Sequence, residues 1–260
     1  MSSTPLVSVI MPVHNAAGTL GQALRSAQAQ THTEWELLAV DDASDDESWD
    51  LLAVAAAADE RVVPIRSTEP LGAAVARNRA IERARGSWVA FLDSDDLWLP
   101  GKLERQLAFG AETGAPLTYS WYYKVAADFA GDAVDFQPND RVIRAPEELT
   151  YRRMLRANYI GCLTAMYDRD RLGARLMPEL RKRHDYALWL SILRDGHVAR
   201  GLPEPLALYR AARPGALSEK KLDLVRHNWQ LYREVERLSV PRSALSLATA
   251  TLRSVRNGRR

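Results

Sequence analysis

An α/β fold, with a mostly parallel sheet sandwiched between helices, is the class this sequence predicts. Short apolar runs rich in β-branched residues alternate with helix-period stretches through the first hundred residues. The polar residues collect where those runs end, in "PVHN", "VDD" and "LDSDD", and open α/β sheets bind ligands at the carboxyl ends of their strands. A length of 260 residues with 47% hydrophobic content is enough to bury one large core.

The elements follow in order. "LVSVIMPV" reads as a first strand and "AAGTLGQALRSAQAQ" as the helix after it. "EWELLAVDD" is a second strand ending in acid, followed by a helix over residues 47–58. "RVVPIRS" is a third strand, weakened by Pro64, which offers no N–H to a ladder. "GAAVARNRAIERARG" is a helix closed by Gly86, and "SWVAFLD" is the fourth strand.

Beyond Pro100 the alternation loosens. A helix over 101–111 leads to an aromatic strand, "LTYSWYYKV", and then to a polar loop. "APEELTYRRMLRAN" reads as a helix, "YIGCLTAMYD" as a strand, and "HDYALWLSILRDG" as a helix stopped by Gly196. "PLALYR" is a short strand, residues 217–238 form one amphipathic helix, and a last helix covers 242–256. There is no internal repeat and no long linker. The division expected is a catalytic body over residues 1–215 and a basic amphipathic helical extension over 216–260.

Composition excludes several classes. The single cysteine, Cys162, rules out an intrachain disulfide and a thiolate zinc site, and fits a reducing compartment. The start "MSSTPLVSVIMPVHN" lacks the basic and long apolar regions of a signal peptide, so a cytoplasmic location is expected. No apolar run of about 18 residues occurs. From Glu219 onward ten Lys or Arg face four Asp or Glu, a net +6, whereas the whole chain carries +2. This uneven charge leaves three uses open for 217–260: a solvated tail, contact with an anionic inner-membrane face, or packing on the body or a second subunit. Nucleic acid is not an expected partner.

The motifs narrow the chemistry. After the first strand the chain reads "PVHNAAGTLGQAL", with neither G-x-G-x-x-G nor a P-loop, so glycines do not cradle a phosphate here. "LDSDD" offers another device. Asp93 and Asp95, two apart at a strand end, are expected to face the same side. A Mg²⁺ or Mn²⁺ ion commonly takes one or two carboxylates together with phosphate oxygens. D-x-D alone is also an ordinary turn sequence. Its place beside "VDD" is what favours a metal–diphosphate clamp.

In order and spacing, "VSVIMPVHN", "VDDASDD", "GAAVARNRA", "FLDSDD" and "HDYALWLSIL" resemble the family 2 inverting glycosyltransferases of the GT-A fold over about residues 6–200. "YRAARPGALS" is similar to a short Tyr-Arg segment that follows the catalytic core of bacterial polysaccharide members. The resemblance implies a nucleotide-sugar donor, a UDP-sugar favoured, a divalent cation, and a glycan or lipid-linked acceptor in surface polysaccharide or lipopolysaccharide synthesis. It implies that Pro12 and His14 line the base, with Asn15 supporting the turn. The family often has an aromatic residue where His14 stands. Asp41 would accept from the base N–H, Arg77 would reach nucleotide or phosphate oxygens, and Gly72 would relieve crowding or supply an unusual backbone angle. Asp93 falls to the ribose and cation shell, Ser94 to the donor site, Asp95 to the metal, and Asp96 to support of the loop.

Locally these residues keep other readings. Asp41, Asp42 and Ser44 are competing helix caps, and Arg77 could be a solvated helix arginine. The resemblance makes Asp185 the general base that takes the acceptor proton, although local sequence alone makes it an N-cap. Where the family more often has Glu-Asp, this chain has His184 before that aspartate, a rival that titrates near neutrality. Arg181, Lys182 and Arg183 form either a solvated loop or an attractor for a phosphate-bearing acceptor. Trp98, Trp121, Tyr122, Tyr123 and Trp189 are core or sugar platform. Two other classes stay open: a sugar-phosphate nucleotidyltransferase, which wants a glycine-rich loop this chain lacks, and a non-catalytic GT-A-like binding scaffold.

Overall fold

The computed structural model describes residues 4–211 and 225–257, the side chains of 252–257 excepted. It has one mixed sheet. The first half alternates as expected: β1 (Val7–Val13), α1 (Ala17–Gln28), β2 (Trp35–Asp42), α2 (Ser48–Ala58), β3 (Val62–Ser67), α3 (Ala73–Arg83) and β4 (Trp88–Phe91). β5 (Leu97–Trp98), α4 (Lys102–Thr113), β6 (Leu117–Val125), β7 (Val142–Ile143), β8 (Glu148–Leu149) and α5 (Tyr151–Met154) follow. A 3₁₀ turn at Cys162–Thr164 leads to β9 (Met166–Asp168), α6 (Arg169–Leu172), α7 (His184–Arg194) and β10 (Ala199–Arg210). A helical segment from residue 225 ends in a π turn, Leu231–Val235, before α8 (Val240–Asn257).

The strand order is β3-β2-β1-β4-β9-β6-β10-β5, with β7 on β6 and β8 on β10. β3, β2, β1 and β4 run parallel, and β9 enters antiparallel to both β4 and β6. β3 is the edge strand, so the donor Pro64 lacks costs no ladder bond with a second neighbour.

Alternation explains the two-sided covering. Val7, Val9, Met11 and Val13 pack with Leu20 and Leu24 of α1, while Ile10 points the other way, with Ile81 of α3 and Trp189 of α7. Burying each such side chain contributes about 1.5–3 kcal/mol. Leu231 and Tyr232, both fully buried, belong to the second of these clusters. The apolar face of residues 225–238 therefore packs on the body; residues 217–224 lie outside the described ones.

Several expected elements differ: "PLALYR" is only the end of the 12-residue β10, and three others change more. β4 stops at Phe91, so Asp93 and Asp95 lie in a turn rather than in strand register. The helix expected over 145–158 is only the single turn Tyr151–Met154. Glu148 and Leu149 pair instead with Arg200 and Ala199 of β10, a tertiary contact that overrides local helix propensity. The strand expected over 159–168 shrinks to β9, because Cys162–Thr164 take a 3₁₀ turn. Gly196 does stop α7 as expected, with φ of 93°.

Candidate active site

The carboxyl ends of β1, β2 and β4 meet the start of α3, and side chains stitch their loops together. Asn15, at φ 48°, donates from its N–H to Ser44 Oγ (3.1 Å), while its Oδ1 accepts from Asp45 N (3.0 Å). His14 Nδ1 lies 2.8 Å from the Asp42 carbonyl. A carbonyl only accepts, so Nδ1 carries the proton. Asp42 is more than a cap candidate: its carboxylate accepts from Leu71 N (2.5 Å) and Gly72 N (2.8 Å). Gly72 sits at φ 81° with open space where a Cβ would point, so it supplies the backbone angle rather than relief from crowding. None of Asp41, Asp42 or Ser44 caps α2; Asp46 does that work, accepting from Ser48 N at 2.9 Å.

Arg77 ties this region to the acidic turn. It is buried, not a solvated helix arginine. One guanidinium nitrogen bonds Asp93, and the other lies 2.8 Å from His184 Nε2 and 3.4 Å from the Ala73 carbonyl. Burial works against its charge, but Asp93, Cys162 and Asp185 together outweigh burial and hold its pKa above the ordinary value. His184 is pushed the opposite way, down, by burial first and then by Arg77. The neutral imidazole accepts from Arg77 at Nε2, leaving Nδ1–H toward the Leu180 carbonyl at 3.3 Å. Both ring nitrogens are thus engaged.

In the acidic turn, burial and then the Asp93 charge push the Asp95 carboxyl up. Burial and both neighbouring aspartates push Asp96 well up. Arg210, at the end of β10, holds this turn. Its backbone N–H donates to Asp96 (2.9 Å), its Nε to the Asp95 carbonyl (2.8 Å), and its remaining nitrogens to the Phe129 carbonyl and Gln22 Oε1. The Tyr-Arg pair was the only signal for this residue in the sequence.

Two cavities share Asp93. A cavity of about 280 Å³ is lined by Pro12, His14, Asn15, Arg77, Asp93, Ser94 and Asp95, along with Asp42. A second, of about 1650 Å³, is lined by Asp93, Asp96, Asp185, Asn158, Tyr122, Tyr209 and Arg183 among others. Asp41 and Gly72 line neither. The Asp41 carboxylate is fully covered, and both its oxygens lack a hydrogen-bond partner. Such a group seeks a donor that the chain itself does not supply.

Asp185 is not the N-cap of α7. That position is Arg183, in the left-handed region at φ 71°, and Asp185 lies in the first turn. There it faces the large cavity, 3.3 Å from Asn158 Nδ2. Among the aromatic candidates, Trp98 and Trp189 are core; Tyr122 reaches the cavity, edge-on to Tyr209 at 5.8 Å between centroids. Of the basic triplet only Arg183 lines the cavity, joined by Lys124, Arg141 and Arg144.

The chain is 44% identical over 234 residues, 90% of either sequence, to the putative teichuronic acid biosynthesis glycosyltransferase TuaG of Bacillus subtilis. It is 35% identical over 197 residues, 75% of this chain and 72% of the other, to the Escherichia coli UDP-Glc:alpha-D-GlcNAc-diphosphoundecaprenol beta-1,3-glucosyltransferase WfgD. Two solved structures with 20% identity share the GT-A fold. Staphylococcus aureus TarS 1-349 in complex with UDP superimposes with a TM-score of 0.65, over 94% of this chain and 70% of that one. The mannosyltransferase PcManGT from Pyrobaculum calidifontis, in complex with GDP-Man and Mn²⁺, gives 0.68 over 95% and 69%. The Glycosyl transferase family 2 model matches residues 8–166, and the chain therefore belongs to that family of glycosyltransferases, which sets aside both the nucleotidyltransferase and the non-catalytic scaffold.

Proposed function

We propose that the protein moves a sugar, with inversion and with a divalent cation, from a nucleotide-sugar donor to a glycan or lipid-linked acceptor in surface polysaccharide synthesis. The observation that carries this reading is the shared wall: Asp93 borders a small cavity holding the expected donor residues and a large one holding the expected base. In this reading residues 1–215 perform the chemistry and 216–260 are an extension. A UDP-sugar is favoured by the WfgD name and by the UDP bound to TarS, although PcManGT binds GDP-Man.

Pro12 and His14 flank the base and Asn15 holds their turn. Asp41 would accept the base N–H, which requires the side chains covering it to part. Ser94 and Asp93 meet the ribose, and Gly72 keeps the loop before Arg77 in its left-handed angle. The chain fits a cation. Among the described residues no cluster of three or more His, Cys, Asp or Glu could hold one unaided. Two carboxylates with diphosphate oxygens completing the shell is the usual arrangement for Mg²⁺ or Mn²⁺. Asp95, with Asp93, would hold it; the upward push on Asp95 comes from burial first and then from the Asp93 charge, and a cation would offset both. Bound there, the ion would stabilise the departing nucleoside diphosphate as a Lewis acid.

Asp185 takes the proton from the acceptor hydroxyl as that oxygen attacks the anomeric carbon. The new C–O bond forms as the bond to the diphosphate oxygen breaks, and the diphosphate leaves with the electron pair. His184 is unsuited to this task, because Arg77 occupies its accepting nitrogen. Lys124, Arg144 and Arg183 on the cavity wall support an acceptor that carries phosphate, such as the diphosphate lipid in the WfgD name.

A panel of UDP- and GDP-sugars, scored by saturation binding and nucleoside diphosphate release with Mn²⁺ or with EDTA, tests the proposal. Binding and release that need the ion, with one UDP-sugar preferred, are expected. Equal turnover in EDTA would remove the cation from the account.

A further inference from the structure

α8 turns only part of its apolar surface to the core. Inward lie Ser243, fully buried, and Ser246, Leu247 and Ala250, half-buried, with Leu247 packed against the main core cluster. Its outward face holds Val240 at 54% exposed and Leu245 at 67%, with Pro241, Ala244 and Ala248 exposed between them. At 100° per residue these five positions fall within an arc of about 140°, a mostly apolar stripe that the exposed Thr251 interrupts. Elsewhere in this fold, helices turn that stripe inward, as α1 does with Leu20, Ala23 and Leu24. Arg242, exposed, borders the stripe.

The charge of this region identifies the occupant. From Val240 to Arg260 the sequence carries five arginines and no acid. A protein partner large enough to cover the stripe would be under no requirement to be anionic. A surface that is apolar a few ångströms down and negative at its face satisfies both features at once, and that is an anionic lipid leaflet. No helix among the described residues is long and apolar enough to cross a membrane. We infer that α8 lies in the membrane interface, its stripe of Val240, Pro241, Ala244, Leu245 and Ala248 among the acyl chains and Arg242 at the anionic headgroups. The inference goes beyond the transfer reaction and stands apart from the residues assigned to it.

Flotation of the full chain with vesicles tests it, comparing phosphatidylcholine alone with phosphatidylcholine containing phosphatidylglycerol. Binding to the anionic vesicles at low salt, weak binding to the neutral ones, and loss on raising salt are expected. Val240→Ser with Leu245→Ser should lower partitioning at least ten-fold. Arg242→Gln should lower it about five-fold, the effect of about 1 kcal/mol per basic side chain at such a surface. Both variants should keep wild-type melting temperature and wild-type transfer to a water-soluble acceptor, which keeps this test separate from that of the transferase reading. Failure of the wild-type chain to float, or floating unaffected by the double substitution, would overturn the inference. So would sedimentation equilibrium showing a dimer that the double substitution disperses, because the stripe would then belong to a second copy.

Discussion

The two cavities that meet at Asp93 are built differently. The small one is cross-linked on every side: Asn15 to the 44–45 loop, Asp42 to Leu71 and Gly72, Arg77 to Asp93 and His184. Its walls are the ends of β1 and β2, the starts of α1 and α3, and the turn after β4. The large cavity is walled by the loops of 126–144 and 158–163, with cations that face it from several elements. A nucleotide-sugar is a fixed chemical object and rewards a preformed site. Acceptors vary, and loops on a rigid scaffold are where such variation is accommodated.

That contrast orders the expected effects. Asp95→Ala, in the cross-linked cavity, should abolish turnover and Mn²⁺-dependent donor binding while leaving the circular dichroism spectrum and melting curve intact; Asp93→Ala should weaken both. Turnover by Asp95→Ala equal to wild type would break the assignment of this cavity to the donor. Arg210→Ala leaves the Asp95 carbonyl and Gln22 without their donor and loosens the acidic turn, which keeps from residue 210 only its backbone N–H on Asp96. A shift of about 1 Å at a reacting group costs about 10²-fold, so kcat should fall by that order. Arg210→Lys should recover part of it, and the Mn²⁺ concentration for half activity should rise in both.

Smaller effects belong to the large cavity. Arg144→Gln or Arg183→Gln should raise KM for a phosphate-bearing acceptor about five-fold, with donor binding unchanged, as expected for partly solvated charge contacts. An equal effect on a neutral acceptor would show that these cations read something other than phosphate.

The smallest effect on activity, and the clearest on stability, lies at the start of α4. Lys102 is fully buried over the Trp98 ring, its Nζ 2.9 Å from Gln106 Oε1, and burial pulls its pKa down to about 7. The unfolded chain holds that proton up to about pH 10.5, the folded chain only to about 7. This group therefore lowers stability most below pH 7, and its penalty is relieved as pH rises from 7 toward 10.5. Lys102→Met should stabilise the protein by about 1–4 kcal/mol near pH 6–7, with the advantage shrinking by pH 10 in urea titrations.

Legibility in the sequence divides along the same line. Strands buried on both faces appear as continuous apolar runs, so β1 to β4 and their helices could be read directly. "APEELTYRRMLRAN" misled because β8 owes its existence to β10, some fifty residues on. The motif residues drew notice because their chemistry is unusual at strand ends. Of the ten expected site residues, seven line the small cavity and Asp185 the large one, whereas Asp41 and Gly72 line neither. The work of Arg210 was hidden for a different reason. Its partners Gln22, Asp95 and Phe129 lie 188, 115 and 81 residues away, and no local pattern encodes such contacts. The left-handed Arg183 that aims Asp185 is equally silent, since nothing in "RKRHDY" favours a positive φ.

The central claim is that Asp185, not His184, receives the acceptor proton, and single-turnover transfer measured beside donor binding tests it most directly. Asp185→Asn keeps the size of the side chain and its contact with Asn158, but not the proton acceptor. The account predicts unchanged donor affinity and transfer slowed about 10²–10⁴-fold. His184→Gln, which still offers Arg77 an acceptor, should stay within about ten-fold of wild type. Near-normal transfer by Asp185→Asn, together with loss in His184→Gln, would contradict it.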